Sequence, residues 1–101
     1  MYKYKTVYTL LKNPKHWARG VQARTKHGGR ECEISEGTAF CLLGATACVY
    51  RQQEGKERAA DAIIKSAIKS LYPGYEETAY FNDDRKIRHA DVLRVLKLAG
   101  V

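Results

Sequence analysis

Long apolar runs are absent from this 101-residue sequence. A helix that spans a bilayer needs ~20 consecutive apolar residues, and no segment approaches that length. The opening residues, Met1 to Lys5, carry positive charge but are not followed by the apolar stretch and cleavage site of a signal peptide. We therefore expect no membrane contact and a cytoplasmic protein.

Cysteine is scarce, and the spacing of the cysteines does not suggest that they form pairs. The three cysteines are Cys32, Cys41 and Cys48, and no C-x-x-C motif joins them, which argues against a disulfide framework and a structural zinc site. On a shared helix, Cys41 and Cys48 would lie roughly 10 Å apart along the axis. That separation exceeds the ~7 Å Cα limit for a disulfide. We expect reduced thiols, no bound metal and no cofactor.

Acidic residues are missing from the first 30 positions, which carry a formal charge of +8, while the rest of the chain carries −1 and the whole chain +7. The basic residues of this segment are Lys3, Lys5, Lys12, Lys15, Arg19, Arg24, Lys26 and Arg30. Charge concentrated at one end of a chain favours an acidic partner. A solvated basic surface without a partner is the alternative.

Apolar residues recur at helical spacing in three segments, and a fourth is apolar nearly all round as in a buried helix, which predicts four helices. These helices cover 4–12, 39–53 (ending near Gly55), 56–71, and a last one through Val92, Leu93, Leu96 and Ala99 that ends at Gly100. Asn13 and Pro14 are typical of a capped turn after the first helix, and Thr38 is the expected N-cap of the second. Residues 75–82 are expected to be irregular or a short turn.

A β-hairpin is predicted over residues 21–35, because polarity alternates on both sides of Gly28-Gly29. The facing pairs would be Lys26–Glu31, Arg24–Glu33, Thr25–Cys32 and Ala23–Ile34. Opposite charges face each other in this register, which supports it. Together these elements predict an α+β fold, a small α-rich single domain over residues 1–101 with four to five helices and one hairpin.

Three groups of residues carry a resemblance to a known family. They are Trp17…Gly20-Val21-Gln22-Ala23-Arg24, then Phe40-Cys41-Leu42-Leu43-Gly44-Ala45, then Phe81-Asn82-Asp83 followed by Asp91-Val92-Leu93 and Leu96. In this order and spacing the sequence resembles an uncharacterised domain family of bacteria and their phages. The resemblance implies a small α-rich domain with a hairpin and brings no established activity or site. The family tends to have a helix-capping threonine where this chain has Ile87, which leaves the start of the last helix open.

One functional hypothesis is a cysteine-dependent enzyme. Cys41 lies near the start of a predicted helix, where the helix dipole lowers a thiol pKa. His89 would act as the base, and Asn82 or Asp83 would orient it. The alternative for Cys41 is structural, because within the run Phe40–Leu43 a buried cysteine acts as a small hydrophobic residue.

Metal binding is not expected. The histidines His16, His27 and His89 have no partner at the local spacing of a zinc site. Asn82-Asp83-Asp84 resembles the start of a calcium loop, but Arg85-Lys86 breaks the alternation of ligands and no glutamate closes it. This segment is interpreted as a turn and helix cap.

The favoured hypothesis is a non-enzymatic binding module. Its basic N-terminal residues are interleaved with Tyr2, Tyr4, Tyr8 and Trp17, and exposed aromatic rings can stack on unpaired bases while lysines neutralise phosphates. The same rings also fit an apolar core. A second basic cluster, Arg85, Lys86, Arg88, Arg94 and Lys97, lies around the last helix.

The expected partner is nucleic acid or an acidic protein or ribonucleoprotein surface. The resemblance to a phage-associated family implies a possible inhibitor of a host nucleic-acid-handling or defence complex. Such a role needs shape and charge but no chemistry. The sequence leaves the oligomeric state open.

Overall fold

The elements follow the order α1, β1, β2, α2, α3, α4 and α5 in the computed structural model, which describes residues 4–26 and 29–101. Over these residues the helices are α1 (Val7–Leu11), α2 (Leu42–Val49), α3 (Glu54–Leu71), α4 (Thr78–Asp83) and α5 (His89–Ala99); the strands are β1 (Ala23–Arg24) and β2 (Ala39–Phe40). Two 3₁₀ turns lie at Pro14–His16 and Ile34–Glu36. The expected α-rich α+β fold class is confirmed.

Local capping signals set several helix ends. Thr6 is extended and its hydroxyl accepts a hydrogen bond from the Thr9 amide, so α1 begins at Val7. The predicted cap at Asn13 is confirmed: its side chain accepts from the Lys15 amide at 2.9 Å, and Pro14 opens the 3₁₀ turn. At the other end of the chain, Gly100 ends α5 with a φ of 73°.

The last helix begins without a threonine cap. Ile87 is buried, and the Asp91 carboxylate accepts a hydrogen bond from the Arg88 amide at 2.9 Å. This bond is the N3 half of a capping box: it satisfies the amide of the N-cap residue Arg88, and α5 begins at His89.

The predicted second strand pairs with β1 only briefly and in a shifted register, and β1 gains a second partner on its other edge. β1 pairs antiparallel with β2, in the register Ala23↔Phe40 and Arg24↔Ala39. The segment that was expected to pair does so around the bridge Arg24↔Glu31, where the Thr25 amide donates to the Arg30 carbonyl at 2.9 Å and the Cys32 amide to the Ala23 carbonyl at 3.1 Å. It then turns away at Ile34–Glu36. Arg24 therefore faces Glu31 rather than Glu33. The expected turn at Gly28-Gly29 lies partly outside the described residues.

The two partners bond to opposite edges of β1, and burial of Phe40 stabilises the pairing with β2. The Phe40 side chain is 2% exposed, whereas Ile34 is only half-buried. Fully burying a phenylalanine contributes about 2–3 kcal/mol, whereas an exposed ion pair contributes about 0–1 kcal/mol. The paired charges on which the predicted register was based are the weaker effect.

The same strand shortens the second helix. It was predicted over 39–53 with Thr38 as its cap, but Ala39 and Phe40 belong to β2. Cys41 is the N-cap instead, and its Sγ accepts from the Gly44 amide at 3.3 Å. The expected irregular segment 75–82 contains the short helix α4.

A single apolar cluster joins the helices to the sheet, and α3 and α5 pack against each other across it. The largest of its fully buried side chains are Phe40, Phe81, Leu11, Leu42, Ile64, Ile68 and Leu96. Among the helices of residues 4–26 and 29–101, none combines the length and apolarity needed to cross a bilayer.

Gly44 sets the distance between α2 and the chain that enters β1. A Cβ at this position would lie 2.0 Å from the backbone oxygen of Gln22. No side chain fits there, because the atom it would meet is backbone rather than a movable side chain. The helix therefore packs directly on the peptide between Gln22 and Ala23.

We predict that Gly44→Ala destabilises the fold by roughly 1–3 kcal/mol, because the clash outweighs the better helix propensity of alanine. Gly55→Ala in α3 is the matched control: nothing lies within 4 Å of its Cβ position, so it should stabilise by up to about 1 kcal/mol. Urea denaturation measures both. Equal effects of the two substitutions would contradict the close contact at Gln22.

Candidate functional site

The buried side chain of Asn82, 1% exposed, joins three parts of the chain. Its Oδ1 accepts from Trp17 Nε1 at 2.8 Å and from the Leu42 amide at 3.0 Å. Its Nδ2 donates to the Ala18 carbonyl and to Asp83 Oδ1, both at 2.9 Å. Two donors and two accepted bonds use the full capacity of the amide.

Neighbouring bonds extend this junction along residues 17–20. The Asp83 carboxylate accepts from the Gly20 amide at 2.8 Å. The Ala18 amide donates to the Phe40 carbonyl at 2.9 Å, and Trp17 bridges the same strand. Trp17 is thus held between the end of α4 and the edge of β2.

A cleft of about 550 Å³ opens next to Trp17, between the 3₁₀ turn, β1 and the residues around the start of β2. We call it the basic cleft and define it by Lys15, His16, Trp17, Arg24 and Lys26. Its remaining described lining is small or polar: Asn13, Thr25, Gly29, Thr38 and Ala39. Positive charge and aromatic surface therefore share one concave site.

Lys15, Arg24 and Lys26 form no ion pair within the part of the chain that the structure describes. No carboxylate lies among its described lining residues. Lys15 and Lys26 are exposed, and the ion pairs of residues 4–26 and 29–101 do not include them. Like charges around a concave surface reinforce one another's field and attract anions.

Two of the expected binding arginines are bound to backbone carbonyls. Arg24 donates to the Gly29 carbonyl at 2.8 Å and to the Arg19 carbonyl at 3.2 Å. Arg19 donates to the Ile87 carbonyl, and its Cζ lies 4.6 Å from the centroid of the Trp17 ring. Both arginines keep their positive charge, but their hydrogen bonds also hold the chain in place. Arg24 does so in the lining of the cleft, and Arg19 does so beside Trp17.

The other expected binding residues lie outside the lining. Lys5, Lys12 and Arg30 are exposed, and Lys3 lies outside the described residues. In the second basic cluster Arg94 pairs with Asp91 at 3.1 Å. The structure gathers Lys15, Arg24 and Lys26 at one site and leaves the rest of the charge elsewhere.

The hypothetical nucleophile Cys41 lines a separate cleft of about 250 Å³ together with Asn82 and Asp83. Burial raises the pKa of the Cys41 thiol, and the charge of Asp83 adds to this. The Gly44 and Leu43 amides lower the pKa but do not reverse the shift. This direction is opposite to the lowering expected from a helix N-terminus, so the thiol is protonated at neutral pH.

The hypothetical base His89 points elsewhere. Its Nε2 lies 2.6 Å from the Leu11 carbonyl, and its ring centroid lies 6.0 Å from that of Trp17. No histidine lies among the described residues of the Cys41 cleft. Asn82, the expected orienting group, has no bonding capacity left for an imidazole. The geometry of the described chain does not assemble a Cys-His-Asn arrangement.

A metal centre is also not seen in the described ranges, where no three histidine, cysteine or carboxylate side chains cluster as a metal site requires. Cys32, Cys41 and Cys48 are not joined by disulfides.

The model of DUF6197, a family of unknown function, matches residues 4–100. The chain belongs to this family. The resemblance to an uncharacterised small domain family is thereby confirmed. No curated protein and no solved structure matches the chain.

The residue groups that carry the resemblance to DUF6197 meet at the Asn82 junction. Trp17 comes from the first group, Leu42 from the second and Asn82 from the third. Gly44 of the second group packs against Gln22 of the first. These groups therefore hold the fold of this DUF6197 domain together and place Trp17 beside the basic cleft.

Sequence reasoning missed the junction and part of the cleft. It interpreted Asn82 as a turn residue or an orienting group. Asn82 is far from Trp17 and Leu42 in the sequence, so no local pattern indicates that they are in contact. Thr38 was expected to cap a helix, and it lines the cleft instead. The short spacing from Lys15 to Lys26 was the one available signal that these charges lie together.

We predict that Asn82→Ala destabilises the protein by roughly 3 kcal/mol or more, because it leaves buried donors at Trp17 and Leu42 without partners. Asn13→Ala removes one exposed cap bond and should cost about 1 kcal/mol. Thermal and urea unfolding compare the two variants. Equal small losses would show that the junction does not carry the fold.

We also predict that iodoacetamide alkylates Cys41 several-fold more slowly in the folded protein than in urea, and that the rate rises with pH, because the thiolate is the reactive form. Mass spectrometry of the peptides separates the three cysteines, and the buried Cys48 serves as the protected reference. Alkylation of Cys41 that is faster in the folded state would restore the enzyme hypothesis.

Proposed function

We propose that this protein is a non-enzymatic binding module whose basic cleft engages the negative charge of nucleic acid or of an acidic protein surface. The observation that carries the proposal is the cleft lined by Lys15, Arg24 and Lys26 without a carboxylate among its described residues. A cytoplasmic setting fits three cysteines that are not joined by disulfides.

Charge and concavity together support a binding role. A basic surface of this kind raises the local concentration of anionic partners and speeds their association. The lysines lie on a frame held by backbone and amide bonds, so binding does not have to order the cleft first.

Such a module acts by occupying a surface. As an inhibitor of a host nucleic-acid-handling or defence complex, phage-encoded as the resemblance implies, it would compete for an anionic ligand or cover an acidic patch. Neither role requires a reacting group. The protonated thiol of Cys41 and the bonded imidazole of His89 are compatible with such a function.

The salt dependence of binding tests this proposal. Fluorescence anisotropy would follow single-stranded and duplex oligonucleotides and polyglutamate at increasing salt. We predict that at least one binds at low salt and weakens steeply as salt rises. For a single strand, the double substitution Lys15→Gln and Lys26→Gln should reduce the slope of log K against log salt by about 1.4, since each lost phosphate contact contributes about 0.7.

Lys56→Gln and Lys69→Gln provide a control of equal charge, because both lysines lie exposed on α3 and do not line the basic cleft. They should leave the slope nearly unchanged. Absence of binding to every polyanion at low salt, or equal effects of the two lysine pairs, would overturn the proposal.

A further inference from the structure

We infer that the ligand of the basic cleft is a single strand of nucleic acid, with an unpaired base seated against Trp17 and His16 and the flanking phosphates on Lys15 and Lys26. This inference rests on the proposed function and names one of its two polyanion classes. It depends on the aromatic rings of the cleft as well as on its charge.

The shape of the cleft favours a strand over a duplex. Its volume of about 550 Å³ lies within the ~300–1,000 Å³ range of sites that enclose a small ligand, and a single nucleobase is well below that size. Proteins that recognise duplex DNA usually insert a projecting helix or β-ribbon into a groove. Trp17 and His16 line a recess, and a recess receives a base that has left its stack.

The aromatic lining is prepared for stacking. Trp17 is half-buried, and its Nε1 donates to Asn82 Oδ1. The Arg19 guanidinium lies over the indole and the His89 ring lies beside it, so the surface left for a base is the part of the ring that lines the cleft. His16 is held by its Nδ1, which lies 3.0 Å from the Leu10 carbonyl, and Tyr4 packs edge-on against the imidazole at 5.9 Å. These rings lose little freedom when a base stacks on them.

The charged groups lie where the backbone of such a strand would run. Lys15 belongs to the 3₁₀ turn that also carries His16, and Lys26 follows β1 two residues after Arg24. The lysines thus come to the cleft from two separate segments. A strand with its base in the cleft has phosphates on both sides of that base, and each lysine can neutralise one of them.

An acidic protein segment would make fewer favourable contacts in the basic cleft than a nucleic-acid strand. Carboxylates pair with Lys15 and Lys26 but gain little from an indole and an imidazole, whereas every nucleobase offers a π-face to both rings. The combination of rings and lysines in one recess therefore favours nucleic acid.

The single tryptophan of the chain makes the test specific, because its emission reports on the cleft alone. The probes are oligothymidine of about 12 nucleotides, an abasic phosphodiester strand of equal length, the corresponding duplex, and polyglutamate. We expect oligothymidine to quench Trp17 and to bind about fivefold or more tightly than the abasic strand, because one stacked base contributes at least that factor.

Two substitutions separate the base from the phosphates. His16→Ala should weaken oligothymidine binding several-fold and leave the abasic strand nearly unaffected. Lys26→Gln should weaken both strands by the same factor. Circular dichroism melting checks that each variant is folded, and the Lys56→Gln variant shows the effect of losing a charge outside the cleft.

Equal affinity for the abasic strand, or tighter binding of duplex or polyglutamate without quenching, would overturn this inference while leaving a polyanion-binding module in place. Failure of all four probes at low salt would overturn both proposals. Quenching by oligothymidine that His16→Ala does not reduce would also contradict the placement of the base.

Discussion

A single buried amide constrains this fold more than any ion pair does. Asn82 has no unused donor or acceptor, and each partner comes from a part of the chain that must reach it for the bond to form. Because an unpaired buried polar group costs about 1–3 kcal/mol, the segments are stable together and poorly stable apart. The surface ion pairs, such as Arg58 with Glu54, are exposed and contribute little.

The parts of the fold that depend on neighbouring residues could be predicted from the sequence. The long helix α3, the cap at Asn13 and the end of α5 at Gly100 follow from helical spacing and capping chemistry. The pairing of β1 with β2 could not be predicted, because it depends on burying Phe40, which is distant from β1 in the sequence. The hydrogen bonds of Asn82 could not be predicted either, since nothing in the neighbouring sequence indicates which distant groups its amide meets.

Charge counted along the sequence located the basic segment but did not show how it is used. Arg19 and Arg24 donate hydrogen bonds to backbone carbonyls, and the amino-acid composition does not indicate this. Lys15 and Lys26 remain available at a concave site. The sequence also suggested a reactive thiol at Cys41, and burial beside Asp83 has the opposite effect on its pKa. In both cases the environment in the fold decides what the residue type alone leaves open.

The absence of a side chain at Gly44 has a consequence for how the molecule can respond to a ligand. With α2 pressed onto the peptide after Gln22, the entry to β1 cannot slide or tilt without breaking a contact between two backbones. Interiors packed this closely shift between discrete arrangements rather than deforming gradually. In the proposed binding role, the β1 side of the cleft would therefore act as a rigid template, and selectivity would come from the fit of the incoming group instead of from closure around it.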